Sequence, residues 1–211
     1  MNKQLFYNIL DKERQDILPF FKEFKKDFYL AGGTALALQI GHRDSIDFDF
    51  FSPVPFDTAK LFENILKIFS GHEIKKTQEA ANTLSVLVDS RIKISFFAYP
   101  YNLISEVLED GDLSLASVAD IGCMKLSAVV SRGVLKDYVD LYFILRDISL
   151  GQLLDYAKQK FPQIETNLIL KSLVFFEDLE EEPVNFKHDR QVDFSKVKEF
   201  LSQAVKEYAN K

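Results

Sequence analysis

Tryptophan is absent from the 211-residue chain, and cysteine occurs once, at Cys123. A single cysteine excludes an internal disulfide, and the apolar neighbours Ile121 and Met124 predict a buried thiol rather than a nucleophile. The chain also lacks an apolar run of about 20 residues, which a membrane-spanning helix requires. Its first residues show no basic stretch followed by an apolar one, as a secretory signal would. We therefore expect a cytoplasmic protein without a membrane span.

An excess of basic charge is also missing, because 26 Lys and Arg residues stand against 32 Asp and Glu residues, for a net charge of -6. This balance argues against a protein that coats nucleic acid through unspecific attraction to phosphates. Any contact with nucleic acid must then be local. The length and the 47% content of hydrophobic residues are sufficient for one substantial core.

Several familiar site patterns are absent as well. The chain has no Walker-type or Rossmann glycine motif. Its histidines, His42, His72 and His188, are too scattered to indicate a zinc site. Phenylalanine, by contrast, is frequent, with 20 residues, many of them in the apolar runs at 48–51 and 96–97. Filling of the core is a sufficient explanation for those runs.

Hydrophobic periodicity predicts an α/β fold for the first half of the chain. The first helix should be interrupted near Pro19, because proline lacks the backbone N–H that a helix interior uses. Turn-forming residues separate the last three strands, which favours an antiparallel continuation of one sheet. The predicted elements are helices at 3–26, 34–39 and 57–69, and strands at 28–31, 46–51, 72–77, 83–88 and 91–98.

The second half of the chain has mostly helical spacing from Ser117 onward. An acidic run at 177–182, followed by Pro183, is typical of a solvated connector before a last amphipathic helix at 194–208. Strands in the first half and helices in the second predict an α/β core at residues 1–115 and a helical region at residues 116–211.

Asp47 and Asp49 are the first candidate site residues. On a strand, positions i and i+2 project from the same face with Cα atoms about 7 Å apart, so both carboxylates can reach metal ions. Flanked by Phe48, Phe50 and Phe51, the two carboxylates would repel each other and lose solvation unless a cation compensates. An edge strand with a wet acidic face is an equally good explanation when the short motif is considered alone.

Gly32-Gly33 adds context, because it lies between a predicted strand and a predicted helix. Backbone N–H groups at such a turn, together with a helix N-terminus, can hold phosphate oxygens. Thr34 would add a hydroxyl donor. A glycine pair alone is usually only a tight turn, but followed by two carboxylates it indicates a site for phosphate and metal.

Two blocks of sequence resemble the AbiEii/AbiGii-type nucleotidyltransferase toxins. The first block runs from Phe28 to Phe51 and contains the glycine pair and the acidic pair. The second contains Lys125-Leu126-Ser127-Ala128, Arg132-Gly133 and the stretch from Lys136 to Tyr142, and it is similar to the family's later lysine and aspartate motifs. The resemblance spans residues 28 to 147. It implies a polymerase β-like nucleotidyltransferase core with a mixed sheet, followed by helices that complete the active-site cleft.

The residues of the second block also suggest a role of their own. Lys125 and Arg132 are spaced i and i+7, which would place both cations on one helical face, where they could meet one anion. The alternative is an exposed basic stripe without a specific role. Asp137 and Asp140, spaced i and i+3 on the next helix, could orient these cations or approach the metal site directly, with capping and ion pairing as alternatives.

Two further positions, Arg43 and Ser95, bear on the predicted site. Arg43 could contact a phosphate or pair with Asp47, and it ranks below Lys125. Ser95 stands where the superfamily commonly has a third carboxylate. Because a hydroxyl is a poor substitute for a carboxylate on a hard cation, one metal position would be weak, or completed by nucleotide and water.

The expected function is transfer of a nucleoside monophosphate from an NTP to an acceptor hydroxyl with Mg²⁺. The resemblance implies the 3′ end of tRNA as an acceptor, a cognate antitoxin as a partner and a role in phage defence. A module that binds nucleotide or protein without turnover is the main alternative, and transfer of the γ-phosphate is another. The expected catalytic residues are Asp47, Asp49, Lys125 and Asp140, the first two as metal ligands, and the expected nucleotide-binding residues are Gly32, Gly33, Thr34, Arg43, Arg132 and Asp137.

Overall fold

The computed structural model describes residues 4–180, 182–187 and 189–210. His188, residue 3 of the first predicted helix and residue 181 of the acidic run lie outside the described residues. The chain divides into two compact units, one formed by residues 1–102 and 106–116 and the other by residues 103–105 and 117–211. The predicted domain boundary between residues 115 and 116 stays a prediction.

The first unit contains a mixed sheet in which the described residues form seven strands, in the order β3-β4-β5-β2-β1-β7-β6. Strand β1 is antiparallel to β2 and parallel to β7, and β2 is parallel to β5. The run β3-β4-β5 is antiparallel, as the turn residues predicted. The strands are β1 (Tyr29–Ala31), β2 (Phe48–Ser52), β3 (Ile74–Ala80), β4 (Thr83–Val88), β5 (Ile92–Ala98), β6 (Leu108–Asp110) and β7 (Leu113–Leu115).

The helices of the first unit are α1 (Lys12–Ile17), α2 (Gly32–Ile40) and α3 (Thr58–Ile68), with 3-10 segments at Tyr7–Ile9 and Leu18–Phe24. The interruption predicted near Pro19 is confirmed, because α1 ends at Ile17 and a 3-10 segment begins at Leu18, but the helix predicted before it is wrong in detail, since a separate 3-10 turn precedes α1. Pro19 is the second residue of the segment that begins at Leu18, where its missing N–H costs no helical hydrogen bond. Helix α3 begins as predicted, with the Asp57 carboxylate accepting hydrogen bonds from two backbone N–H groups.

The two faces of the sheet differ in their burial. On one face, Phe48, Phe50 and Phe96 are at most 3% exposed, and the Phe21 ring lies 4.8 Å from Phe48 and 5.0 Å from Phe50. These rings form the core of the unit, as predicted. The residues that alternate with them, among them Asp49 and Phe51 on β2 and Phe97 on β5, lie on the other face and are half-buried. Core filling therefore does not explain Phe51 and Phe97.

The second unit is helical, as predicted. A Cβ atom added at Gly122 would lie 2.8 Å from Leu153 Cδ1, so this glycine lets two of the helices pack closely. No helix in the described part of the chain is long and apolar enough to cross a bilayer. The helices are α4 (Val118–Ser131), α5 (Leu135–Ile144), α6 (Leu150–Lys160), α7 (Thr166–Leu173) and α8 (Phe194–Ala209).

Candidate active site

Asp49 lies against the N-terminus of helix α2 in the first unit. It is paired with Ala31 across β1 and β2, and Gly32 follows directly as the first residue of α2. Gly32 has a φ of +72°, and a Cβ atom at this position would lie 3.1 Å from Asp49 Oδ2. Glycine therefore permits both the backbone conformation and the close approach of the carboxylate to the end of the helix.

Asp47 precedes strand β2, which begins at Phe48, so the prediction that both carboxylates belong to the strand is wrong for Asp47. Its backbone carbonyl accepts a hydrogen bond from the Thr34 hydroxyl, which lies 2.8 Å from Ser45 Oγ. A hydroxyl has one proton to donate, and Thr34 is only 1% exposed. The structure thus gives Thr34 a positioning role for Asp47, whereas its contact with phosphate stays a prediction.

Arg43 packs under the first turn of α2. A Cβ atom at Gly33 would lie 2.6 Å from Arg43 Nη2, and Arg43 Nη1 donates to the carbonyl of Asp44 over 2.9 Å. Because Arg43 is only 3% exposed, its guanidinium belongs to the support of the glycine pair. The predicted contact of Arg43 with a phosphate remains a prediction.

Ser95 lies beside Asp49, because the two residues are in register across the parallel strands β2 and β5. It is buried, and its Oγ atom lies 3.1 Å from Ser85 Oγ on β4. The position next to Asp49, where a third carboxylate was expected from the resemblance, is thus occupied by two hydroxyls that hydrogen-bond each other.

The donor set of the first unit can be compared with what a cation requires. Within the described ranges, no group of three or more His, Cys, Asp or Glu residues is placed to hold a metal ion. Asp47 and Asp49 offer two hard carboxylates, and Mg²⁺ is usually held by one or two carboxylates together with substrate phosphates and water. These residues fit Mg²⁺ accompanied by a nucleotide, and they do not fit a zinc site.

A buried ion cluster occupies helices α4 and α5 of the second unit. Lys125 Nζ lies 2.6 Å from Asp137 Oδ1 and 2.7 Å from Asp140 Oδ2. Arg132 Nε lies 3.1 Å from Asp137 Oδ2. Of the alternatives stated for the two aspartates, the structure shows ion pairing, and a role in orienting the cations for a substrate stays a prediction.

Arg132 and Lys125 differ in their surroundings. Arg132 follows α4 in an extended conformation, so the prediction that it shares a helical face with Lys125 is wrong. Its side chain is 62% exposed, whereas that of Lys125 is 9% exposed. Both cations pair with Asp137, whereas their predicted meeting at a phosphate stays a prediction.

Sequence reasoning missed several residues on the sheet face of Asp49. Phe51 and Phe97 lie there, and Lys93 lies two positions before Ser95 with its side chain exposed. Tyr99 directly follows β5 and contacts Phe51, with 5.4 Å between ring centroids. Alternation counted from Asp49 and Ser95 could have found the first three of these residues.

Comparison with known proteins agrees with this architecture. The uncharacterized protein aq_aa25 of Aquifex aeolicus (strain VF5) is 40% identical over 188 residues, which cover 86% of this chain and 88% of that protein. The structure of JHP933 from Helicobacter pylori is similar with a TM-score of 0.60 and 18% identity, covering 96% of this chain and 92% of the other.

MenT4, a nucleotidyltransferase toxin of Mycobacterium tuberculosis H37Rv, is similar with a TM-score of 0.63 and 16% identity, covering 92% of this chain and 80% of the other. At these identities the two solved structures show the fold, which is the polymerase β-like nucleotidyltransferase fold. Residues 20–210 match the family described as "Nucleotidyl transferase AbiEii toxin, Type IV TA system". The chain therefore belongs to the AbiEii nucleotidyltransferase toxin family.

Proposed function

We propose that the protein transfers a nucleoside monophosphate from an NTP to an acceptor hydroxyl, with Mg²⁺ as cofactor and pyrophosphate as the leaving group. The observation that carries the proposal is the position of the Asp49 carboxylate at Gly32, at the first turn of a helix, in a chain of a nucleotidyltransferase family. A carboxylate and a helix N-terminus at one place can serve a cation and the phosphates that it accompanies.

In the first unit, Asp47 and Asp49 would hold Mg²⁺, which supplies charge neutralisation to phosphate oxygens when bound. The N–H groups around Gly33 would hold the phosphates at the start of α2. Thr34 keeps the backbone of Asp47 in place through its hydrogen bond. Asp49 on β2, the amides of α2 and the backbone of Asp47 are therefore held in place by the protein before a substrate binds, which is the arrangement that efficient charge stabilisation requires.

In the second unit, Lys125 would stabilise the triphosphate through its positive charge. Its ammonium is bound by Asp137 and Asp140, which fix its position and also offset its charge, so that the proposed contact with a phosphate oxygen requires the third of its N–H donors. The positive charge of this cluster that solvent reaches most easily is Arg132. A guanidinium is suited to bidentate contact with phosphate oxygens, and we assign this contact to Arg132.

The acceptor that we propose is the 3′ end of a tRNA, in the cytoplasm, and the protein partner is a cognate antitoxin. Support comes from the description of the family as the toxin of a toxin–antitoxin system. The net charge of -6 fits an acceptor that is contacted locally rather than wrapped. A role in phage defence follows if the transfer blocks translation.

One observation favours a second candidate function. Because Ser95 and Ser85 occupy the place beside Asp49 where a third carboxylate would help to activate the acceptor, the same site would serve nucleotide binding without turnover. Calorimetric binding of an NTP without release of pyrophosphate would favour this candidate over transfer.

Incorporation of label from α-labelled NTPs into tRNA, with added Mg²⁺, tests the proposal. Asp47→Asn and Asp49→Asn should each lower the rate by about a hundredfold, because each loses a negative ligand. The matched control is Asp16→Asn, an exposed aspartate that pairs with Lys12, and it should leave the rate unchanged. Equal rates in all four proteins would overturn the proposal. Label from the γ-position in the acceptor would indicate phosphoryl transfer instead.

A further inference from the structure

Aromatic side chains continue the sheet face that carries Asp49. Phe51 lies two residues after Asp49 on β2, and Phe97 lies two residues after Ser95 on β5. The parallel register pairs Asp49 with Ser95 and Phe51 with Phe97. A polar row and an aromatic row are thus neighbours on one face, with about 7 Å between them along each strand.

The aromatic rings form one contiguous group. The centroid of Phe51 lies 5.4 Å from that of Phe97 and 5.4 Å from that of Tyr99, at interplanar angles of 32° and 73°. Tyr29, on the neighbouring strand β1, stacks on Phe51 with 6.1 Å between centroids. We call Phe51, Phe97 and Tyr99 the aromatic platform.

Burial distinguishes this platform from the core. Phe50 and Phe96, the strand neighbours of Phe51 and Phe97 on the opposite face, are 3% and 0% exposed. All three rings of the aromatic platform, by contrast, are half-buried and keep contact with solvent. Packing of the hydrophobic core accounts for the first set of rings, whereas the second set packs against Tyr29 and Tyr101 and still keeps part of its surface in solvent.

We propose that the aromatic platform stacks a nucleobase of the substrate while its phosphate is held at the Asp49 row, an inference that rests on the proposed function. Base–aromatic stacking is favourable for every base, because every base has a π-face. The phosphate and the base of one nucleotide lie on opposite sides of its sugar and so reach two adjacent rows of a sheet face. Lys93, exposed on the same face, adds a positive charge beside the polar row.

The base of the incoming NTP and the last base of the acceptor RNA offer the same stacking chemistry. If the platform stacks the base of the NTP, an NTP added without RNA should bind to it. If it stacks the last base of the acceptor, RNA added without an NTP should bind to it. If the rings instead form a contact with an apolar protein partner, neither the NTP nor the RNA should bind to them.

The absence of tryptophan from the chain permits a direct test. Phe97→Trp places a single indole in the platform, and stacking of a base should quench its emission. The probes are each of the four NTPs, a short single-stranded RNA, and inorganic triphosphate, which has no base. The matched control is Phe20→Trp, at a half-buried ring that packs against Phe69 and His72.

Quenching of the Phe97→Trp protein by an NTP or by the RNA, without quenching by triphosphate or in the control, supports the platform and identifies the source of the base. Equal quenching by triphosphate, or no quenching by any probe, overturns it. This readout does not require transfer. A protein that fails to incorporate label but stacks an NTP would refute the proposed function and leave the platform standing.

Kinetics provide the second measurement. Phe97→Leu and Tyr99→Leu should each raise the KM for one substrate by about tenfold, the size expected for loss of one base–aromatic stack, with a smaller change in kcat. Phe20→Leu makes the same chemical change away from the platform and should alter neither constant. If both platform variants keep both KM values within twofold while wild type transfers label, the platform is refuted and the proposed function stands.

Discussion

At the scale of single residues, Gly32 links backbone conformation to the position of a carboxylate. Its φ of +72° lies in the left-handed region, and a Cβ atom would stand 3.1 Å from Asp49 Oδ2. An L side chain at this position costs roughly 1–2 kcal/mol of backbone strain and also pushes against the carboxylate. Strain lowers stability, whereas displacement of Asp49 lowers activity, so the two effects can be measured apart.

Gly32→Ala should therefore lose about 1–2 kcal/mol of unfolding free energy and most of the transfer activity. Gly111→Ala is the matched control, since Gly111 has a φ of +54° but no neighbouring atom within 4 Å of the point where a Cβ atom would stand. The control should show a similar loss of stability and full activity. Urea unfolding and label incorporation measure the two quantities. Equal loss of activity in both variants would contradict the role given to Gly32.

Cys123 offers a test of burial in the second unit. Burial raises the pKa of its thiol to about 12, and the nearby Asp120 carboxylate contributes in the same direction. Because the thiolate is the reactive form, native protein at pH 8 should react with Ellman's reagent at least about a hundred times more slowly than protein unfolded in urea. Fast reaction of the native protein would refute the burial that both sequence and structure assign to Cys123.

At the scale of elements, the ion cluster between α4 and α5 combines a structural and a functional role. Lys125 is bound by two aspartates that are at most 1% exposed. Removal of the ammonium would take away a positive charge that two buried carboxylates share, although Arg132 would still pair with Asp137, and this is more costly than removal of a surface charge.

Lys125→Met should accordingly lower the free energy of unfolding by about 3–5 kcal/mol. The control is Lys12→Met, which breaks an exposed i,i+4 pair with Asp16 and should change it by no more than about 0.5 kcal/mol. Urea titrations with both variants provide the comparison. A loss in Lys125→Met as small as in the control would show that the cluster contributes little to stability.

Much of the fold was predictable at this scale because periodicity is a local property. Strand β4 was predicted with its observed bounds, Thr83–Val88, and α3 within one residue of its observed ends. Strands β6 and β7 were missed, because three residues are too few for a recognisable alternation and neither strand, unlike β1, is an apolar run that ends at a glycine pair. Arg132 was misplaced on α4 because the stop signal that Gly133 provides directly after it was not used.

The candidate site was predictable in part for the same reason. Gly32 and Asp49 are brought together because β1 and β2 follow each other in the chain, separated by α2, and are also neighbours in the sheet, as consecutive strands commonly are. The buried contact of Arg43 with the turn, and the half-burial of Phe51 and Phe97, depend instead on which face of the sheet is covered. Tertiary packing decides which face of the sheet is covered by other elements, and the periodicity of the sequence alone does not reveal it.

At the scale of the whole molecule, charge limits how an RNA acceptor is bound. The net charge of -6 means that the mean field of the protein repels RNA, so binding must rely on a few local cations and on stacking. Each phosphate contact to a single strand contributes about -0.7 to the slope of log K against log salt concentration. For a site with two or three such contacts we expect a slope of about -1.4 to -2.1, which is much shallower than the slope for a protein that coats nucleic acid.

The KM for the RNA acceptor between about 50 and 300 mM salt measures this slope, and single substitutions identify the cations that produce it. Lys93→Ala removes an exposed cation from the sheet face of Asp49 and should reduce the slope by about 0.7. Lys12→Ala removes an exposed lysine that is already paired with Asp16, and it should leave the slope unchanged. A wild-type slope steeper than about -5, or equal effects of the two substitutions, would mean that RNA contacts a broad surface and that the local site is not its main attachment.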